Sequence, residues 1–358
     1  MGAGLLAPRA VLAAGSLSQT APSPTVRLSL NENAFGPSPR VLPAIQREFS
    51  RLNRYADDSM ARQFAEQVAA HERIRVEQVV LGEILGLLGL YLGSRGGPGG
   101  EFIYSTPGYL ALIDAAAQVG GVGIPVPLDA QFRNDLPALR SKLTTETRAI
   151  YLINPHNPTG TVNDNAEFKS FLRDVSTQAI AIVDEAYLEY TTDFESRSAV
   201  SLVREGANVM VFRTFDKIHG LAGMPIGYVL APAALAEALR QQGAGDAEGL
   251  GRLNLAAAAA ALSDTGHVEQ IRKAIARERG IWMALLRELN LPHTDAQGDF
   301  AFFDAGRPQS EMAAAMLAKG VNIGRAHPPY TNWARITIGL PQENRRAQTA
   351  LREVLHAP

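Results

Sequence analysis

The chain has 358 residues, 46% of them hydrophobic and 20% charged, which is enough for one large domain plus a smaller one. A formal net charge of -2 at pH 7 leaves no electrostatic footprint for nucleic acid or an anionic membrane surface. There is no cysteine, so disulfides, thiolate catalysis and cysteine-held metals are excluded.

Residues 4–15 (GLLAPRAVLAAG) are apolar and alanine-rich and run into a small polar stretch, 16–24. They read as the remnant of an export signal or as a plain flexible N-terminus, since no basic segment precedes them and Pro8-Arg9 interrupts the run. Cytoplasmic residence is the expectation, with export as its alternative. No later stretch reaches the ~20 uninterrupted apolar residues of a membrane span, and no repeat of ~20–50 residues is present.

From about Val79 onward, short β-rich runs alternate with helical patterns. Residues 101–104 (EFIY) read as a buried strand, 109–119 as a helix and 124–126 (IPV) as a short strand. The run 149–153 (AIYLI) is a strand, 165–175 a helix, and 179–183 (AIAIV) and 209–212 (VMVF) are strands again. Strands apolar on both faces and separated by helices imply an α/β fold with a mainly parallel central sheet, flanked by helices. Such sheets bind ligands at the carboxyl ends of their strands. Three polar segments leave strand ends here: NPHNPTG (154–160), DEAY (184–187) and RTFDK (213–217). The glycines of 95–100 read as a connecting loop, since a dinucleotide fingerprint would follow a strand and open a helix.

Past Pro232 the texture changes. Residues 233–242 are helical, 243–251 glycine-rich, and 255–262 almost all alanine and helical. A long helix over about 266–288 leads into strands at 300–303 (FAFF) and 334–338 (ARITI). The expected division is an N-terminal segment, 1–40, that joins the smaller domain, a large domain, 41–240, and a smaller α+β C-terminal domain, 241–358.

The three strand ends carry what pyridoxal 5′-phosphate (PLP) requires of a protein: a lysine for a Schiff base, a carboxylate for the ring nitrogen, donors for the ring hydroxyl oxygen, and an anion site for the phosphate. Lys217, just beyond a buried strand, is placed to be desolvated and to lose its proton. Asp184 ends AIAIVD, where a buried carboxylate is costly unless it meets a cation such as a protonated pyridine. Tyr187 and Asn157 are the candidates for the ring oxygen, Thr214 with nearby backbone amides for the phosphate, and Tyr109 for the ring face. Singly, each has a plainer explanation as a solvated lysine, a cap, a turn or a packing aromatic. Their joint occurrence, each at a strand end, is what those explanations fit badly.

NPHNPTG, DEAYLEY, RTFDKIHGLAG and ARITIG resemble the fold-type I, class I/II PLP-dependent aminotransferases, and most closely the histidinol-phosphate aminotransferase group. LNENAFGPSP (30–39), RYAD (54–57), TPGY (106–109) and Asn254 fit the same group, so the resemblance spans nearly the whole chain from about Arg27. It implies that Lys217 carries the cofactor and then moves the substrate proton, with Asp184, Asn157, Tyr187 and Tyr109 around the ring, and Thr214 and Gly82 at the phosphate. It also implies a homodimer with shared sites, in which Tyr55 reaches the phosphate of the partner subunit. Arg335, with Arg325 and Asn33, is implied at the substrate, Arg335 gripping an anionic group in bidentate fashion. The expected substrates are an amino acid or amino alcohol phosphate and a 2-oxo acid.

Three departures fall on the cofactor phosphate. The family usually has arginine eight residues after the lysine, where this chain has Pro225; it usually has serine before the lysine, where this chain has Asp216; and its glycine-serine loop is replaced by GEIL (82–85). An acid beside a phosphate dianion repels it, so a compensating cation is expected, with Arg213, His219 and a partner's Arg54 as candidates. Asp299 stands where the group often has asparagine. No two of the seven histidines have the helical spacing of a zinc site beside an acid, and no Gly-x-Ser-x-Gly elbow is present. Another PLP reaction on the same fold (decarboxylation, elimination or a cyclising synthase step) and a non-catalytic relative are the alternatives to transamination.

Overall fold

The structure, a computed structural model, describes residues 25–94 and 100–356. The apolar N-terminal stretch and most of the glycine-rich loop at 95–100 lie outside the described residues. The strands, in chain order, are β1 (Val26–Leu28), β2 (Val79–Leu81), β3 (Glu101–Thr106), β4 (Val122–Pro127), β5 (Thr147–Ile153), β6 (Ile180–Asp184), β7 (Val209–Thr214), β8 (Gly227–Leu230), β9 (Phe300–Asp304), β10 (Val321–Ile323) and β11 (Trp333–Thr337).

Seven of them form one sheet in the order β2-β8-β7-β6-β5-β3-β4. The pairs β4–β3, β3–β5, β5–β6 and β6–β7 are parallel, and β8 runs antiparallel to both β7 and β2. Crossover helices cover both faces, which is why the central runs carry no polar alternation. Side chains still alternate between two cores. Tyr151, Ile153, Ile182, Met210 and Phe212 face one core, with Leu88, Leu92, Leu112 and Ile113 of helices Leu85–Ser94 and Ala111–Gln118. Ile150, Leu152, Val183, Val209 and Val211 face the other, with Phe168 and Leu172 of helix Asn165–Val175. That helix starts at Asp164, whose carboxylate accepts the amides of Ala166 and Glu167.

Register brings the strand ends level. Ile153 pairs with Asp184 and Asp184 with Phe212, so the three polar segments leave the sheet side by side.

A third core holds the smaller unit. Helix Thr265–Glu288 buries Val268, Ile271, Ile275, Trp282, Leu285 and Leu286 along one face, beside the antiparallel pair β9–β11. β1 pairs in parallel with β10, so the start of the described chain is a strand of this unit. The helix Arg252–Leu262, which the sequence groups with the smaller domain, packs instead on helices Val41–Glu48 and Asp58–Glu72; its Leu255, Ala257, Ala258, Ala261 and Leu262 join the larger unit's core. Its run of alanines permits that close helix–helix approach, which composition alone does not assign to either side. Among the described residues no helix is long and apolar enough to cross a membrane.

Candidate active site

A cavity of about 360 Å3 opens over the carboxyl ends of β5, β6 and β7, within the roughly 300–1,000 Å3 of small-ligand sites. Tyr109, Asn157, Asp184, Tyr187, Thr214 and Lys217 all line it, joined by Arg325 and Arg335 from the smaller unit.

Asp184, the last residue of β6, is buried. Its Oδ1 accepts the Ala186 amide (3.0 Å) and its Oδ2 the Tyr151 hydroxyl (3.0 Å). Burial pushes its carboxyl up to about 6, against these two bonds and the charge of Lys217. No cation is hydrogen-bonded to it, and a protonated pyridine nitrogen fits that need. Tyr187 stands edge-on to Phe300 at 5.2 Å, and its hydroxyl accepts Asn31 Nδ2 (3.2 Å) and Asn157 Nδ2 (3.5 Å). Asn157 Oδ1 accepts Arg335 Nη1 (2.6 Å), while Arg335 Nη2 donates to the Ser29 carbonyl (3.0 Å). One hydrogen-bonded chain thus links Arg335, Asn157, Tyr187 and the N-terminal segment.

Lys217 sits in a tight turn closed by Gly220 N–H to the Lys217 carbonyl (2.9 Å), with Nζ 5.9 Å from the Tyr187 ring centre. The sequence leads one to expect a desolvated, neutral amine, and the surroundings correct this. Burial pushes the ammonium down, but Tyr187, Asp299, Asp216 and Asp184 more than reverse the effect and leave it raised. The acids and phenol around Lys217 thus hold its ammonium in the charged form. Asp299 is wholly buried, its oxygens without a well-formed hydrogen bond but close to the Tyr190 hydroxyl, and burial lifts it to about 7 although Lys217, its own backbone amide, Arg335 and Tyr190 oppose this.

Other candidates fall elsewhere. Asn33 Nδ2 donates to the carbonyls of Ile218 (2.8 Å) and Gly36, so it braces the turn after Lys217, and the cavity takes Asn31 instead. Asn31 adopts φ 55°, which turns its side chain towards Tyr187. Gly82 borders the cavity but does not line it; its neighbour Glu83 does. Tyr55 is 76% exposed and lies outside this cavity. Neither Arg213 nor His219 compensates the missing phosphate cation. Arg213 is paired with Glu185 (2.9 Å) and Glu72 (3.6 Å), and His219 with Glu189 (3.5 Å), beside a separate cavity of about 470 Å3.

Sequence reasoning also missed Tyr151, Asn31, Glu83 and His327. Tyr151 was findable, since it lies two residues before the end of β5 on the face that Ile153 shares. His327 carried no signal; it is buried, its Nε2 has no partner, and burial first, then Arg335 and Arg325, push it down to about 3, so it is neutral.

A mainly parallel sheet that gathers a lysine, a buried carboxylate and ring-oxygen donors at level strand ends is the arrangement of a fold-type I PLP enzyme. Comparison with known proteins gives the family. The description "Aminotransferase class I and II" matches residues 23–351. Relatives include a histidinol-phosphate aminotransferase of Moorella thermoacetica, 33% identical over 92% of this chain and 85% of its own, and one of Anaeromyxobacter sp., 35% identical over 94% and 92%. Among solved structures, histidinol-phosphate aminotransferase from Sinorhizobium meliloti, in complex with pyridoxal-5′-phosphate, superposes with a TM-score of 0.83 at 28% identity, covering 92% of this chain and 90% of that one. The chain belongs to the class I and II aminotransferases and is a PLP-dependent enzyme of that family.

Proposed function

We propose that the enzyme transfers an amino group between an anionic amino donor, an amino acid or amino alcohol phosphate of the histidinol-phosphate kind, and a 2-oxo acid. The observation that carries this is the substrate side of the cavity, where Arg325, Arg335 and neutral His327 stand together beside Lys217. Two guanidinium groups and an uncharged imidazole suit a carboxylate or phosphate with a polar neighbour.

Bound PLP supplies an electron sink for the charge developed at the substrate's α-carbon. Asp184 holds the ring-nitrogen proton that makes the sink effective. Asn157 and Tyr187 bond the ring oxygen, and Tyr109 covers a ring face. Lys217 would anchor the cofactor, and its Nζ would carry the substrate's α-proton. Arg335, steadied by Asn157 and Ser29, grips the substrate anion and orients its α-carbon to Lys217.

The same reading extends to a homodimer in which Tyr55 serves the neighbouring subunit's cavity. It is supported by exposed Leu30, Leu52 and Tyr55, 59%, 63% and 76% accessible. Sedimentation tests it: a monomer at working concentrations overturns the shared site. The substrate proposal is tested by mixing the PLP enzyme with histidinol phosphate and amino acids and following conversion to the pyridoxamine form, reversed by a 2-oxo acid. Carbon dioxide release or elimination product without that reversible conversion would select a different PLP reaction.

A further inference from the structure

The PLP ring carries its hydroxyl and its phosphate arm on opposite sides of the line from ring nitrogen to aldehyde carbon. With Asp184 at the nitrogen, Lys217 at the aldehyde, and Tyr187 and Asn157 at the hydroxyl, the phosphate arm would face the remaining wall of the cavity. That wall is Glu83, Leu85, Gly86, Thr214 and Asp216. None of these five residues of this chain is a lysine, arginine or histidine; Arg325, His327 and Arg335 reach the same cavity from the smaller unit, Arg335 tied to Asn157.

Glu83 is built into this wall. Gly82 donates its amide to the Gly227 carbonyl (2.8 Å) and turns the chain at φ +114°, a conformation suited to glycine. Glu83 Oε1 then accepts the Thr214 hydroxyl (2.8 Å). A β-carbon on Gly227 would come within 2.7 Å of that same oxygen, so glycine there leaves the room the carboxyl occupies. The charged and titratable groups around it are Asp216, Asp184, Lys217 and the Tyr109 phenol.

We propose that Glu83 serves the cofactor phosphate as a protonated hydrogen-bond donor, so that loading PLP takes up a proton at this residue. The inference rests on the reading of the cavity as the PLP site. Burial first, then Asp216 and Asp184, lift the Glu83 carboxyl to about 7, against Thr214 and Lys217. A dianion arriving beside it raises its proton affinity further, and water supplies the proton. The neutral carboxyl donates to a phosphate oxygen, and Thr214 is released to do the same. Glu83 thereby replaces, without a positive charge, the arginine that Pro225 displaces.

The test is a titration of the full-length apoprotein with PLP and, separately, with pyridoxal, which lacks the phosphate, between about pH 6.5 and 8.5. Binding is read by absorbance and proton uptake by an indicator dye in weak buffer. The dissociation constant for PLP is expected to rise roughly twentyfold across that range, beyond any change seen with pyridoxal, as follows from one proton bound at a group titrating near 7. Glu83→Gln, which keeps a neutral donor, should abolish the excess and its proton uptake and bind PLP more tightly at high pH. Asp216→Asn, which removes an acid that raises Glu83, should move the onset to lower pH. An excess unchanged in Glu83→Gln, or PLP bound more weakly by that variant at every pH, overturns the inference alone. If borohydride reduction leaves Lys217 unmodified at every pH, the cofactor reading falls as well.

Discussion

The two sides of the central sheet solve the problem of a buried charge differently. Asp184 and Glu185 are neighbours at the end of β6, as Arg213 and Thr214 are at the end of β7, and alternation sends one of each pair to each face. Behind the sheet Glu185 accepts Arg213 Nε (3.0 Å), the Ser198 hydroxyl (2.9 Å) and the Ala199 amide (2.6 Å). In front, Asp184, Asp299, Glu83 and Asp216 gather around Lys217, with Arg335 also near Asp299 and with unpartnered oxygens on Asp299 and Asp216. The rear cluster is complete without a ligand. The front cluster is an electrostatic imbalance that the proposed cationic ring would correct, and on that proposal the difference separates buried charges that hold a fold from those placed to hold a cofactor.

Four substitutions sharpen or break that contrast. Lys217→Ala is expected to remove the covalent anchor and the proton carrier together, cutting turnover by at least roughly 10^3-fold; borohydride reduction followed by mass analysis should find no cofactor attached, and retained turnover would refute the assignment. Glu185→Ala takes from buried Arg213 its nearer carboxylate and leaves only Glu72 at 3.6 Å, so about 3 kcal/mol of unfolding free energy, the low end for breaking a buried pair, should be lost in a denaturant titration, with PLP affinity changed far less than stability.

Asp184→Asn should do the opposite to the apoprotein. Because the folded carboxyl is raised to about 6, its ionised form costs the native state above that pH, and the cost is relieved as pH falls towards the unfolded value near 3.8. At neutral pH the amide variant should therefore be more stable than the parent apoprotein by about 2–3 kcal/mol, a gain that vanishes by about pH 4, while transamination is lost. A stability loss in its place would mean Asp184 is already paired. Arg335→Ala is expected to raise KM for anionic substrates about 10–100-fold, the worth of a charge-assisted hydrogen bond or two. Equal weakening of substrate and PLP binding would show that Arg335 only braces Asn157.

The strand ends were legible because a parallel sheet demands unbroken apolar runs, and AIYLI, AIAIV and VMVF stop where the polar segments begin. What the sequence hid depends on direction, not identity. Arg213 offered itself as a phosphate cation until parity along β7 put it on the rear face, opposite to Thr214. Asn31 and Asn33 sit in one short motif, and only the left-handed turn at Asn31 decides which one reaches Tyr187. Asp299 and His327 are buried by contacts from segments distant in the chain, which no local pattern encodes. Glu83 was visible as a departure from the family, but its seat against Gly227 was not.

The pairing of β1 with β10 gives the first described strand a hold on Arg335, the proposed substrate arginine. The Ser29 carbonyl and the Asn31 amide clamp Arg335 and Tyr187 from that strand's end. On the proposed reading, a protease nick between residues 28 and 31 would loosen Arg335 and Tyr187 and so weaken the grasp of the amino donor, while sparing Asp184, Thr214 and Lys217. Resistance of that segment to subtilisin becomes a simple gauge of whether the proposed anion-binding arm is assembled.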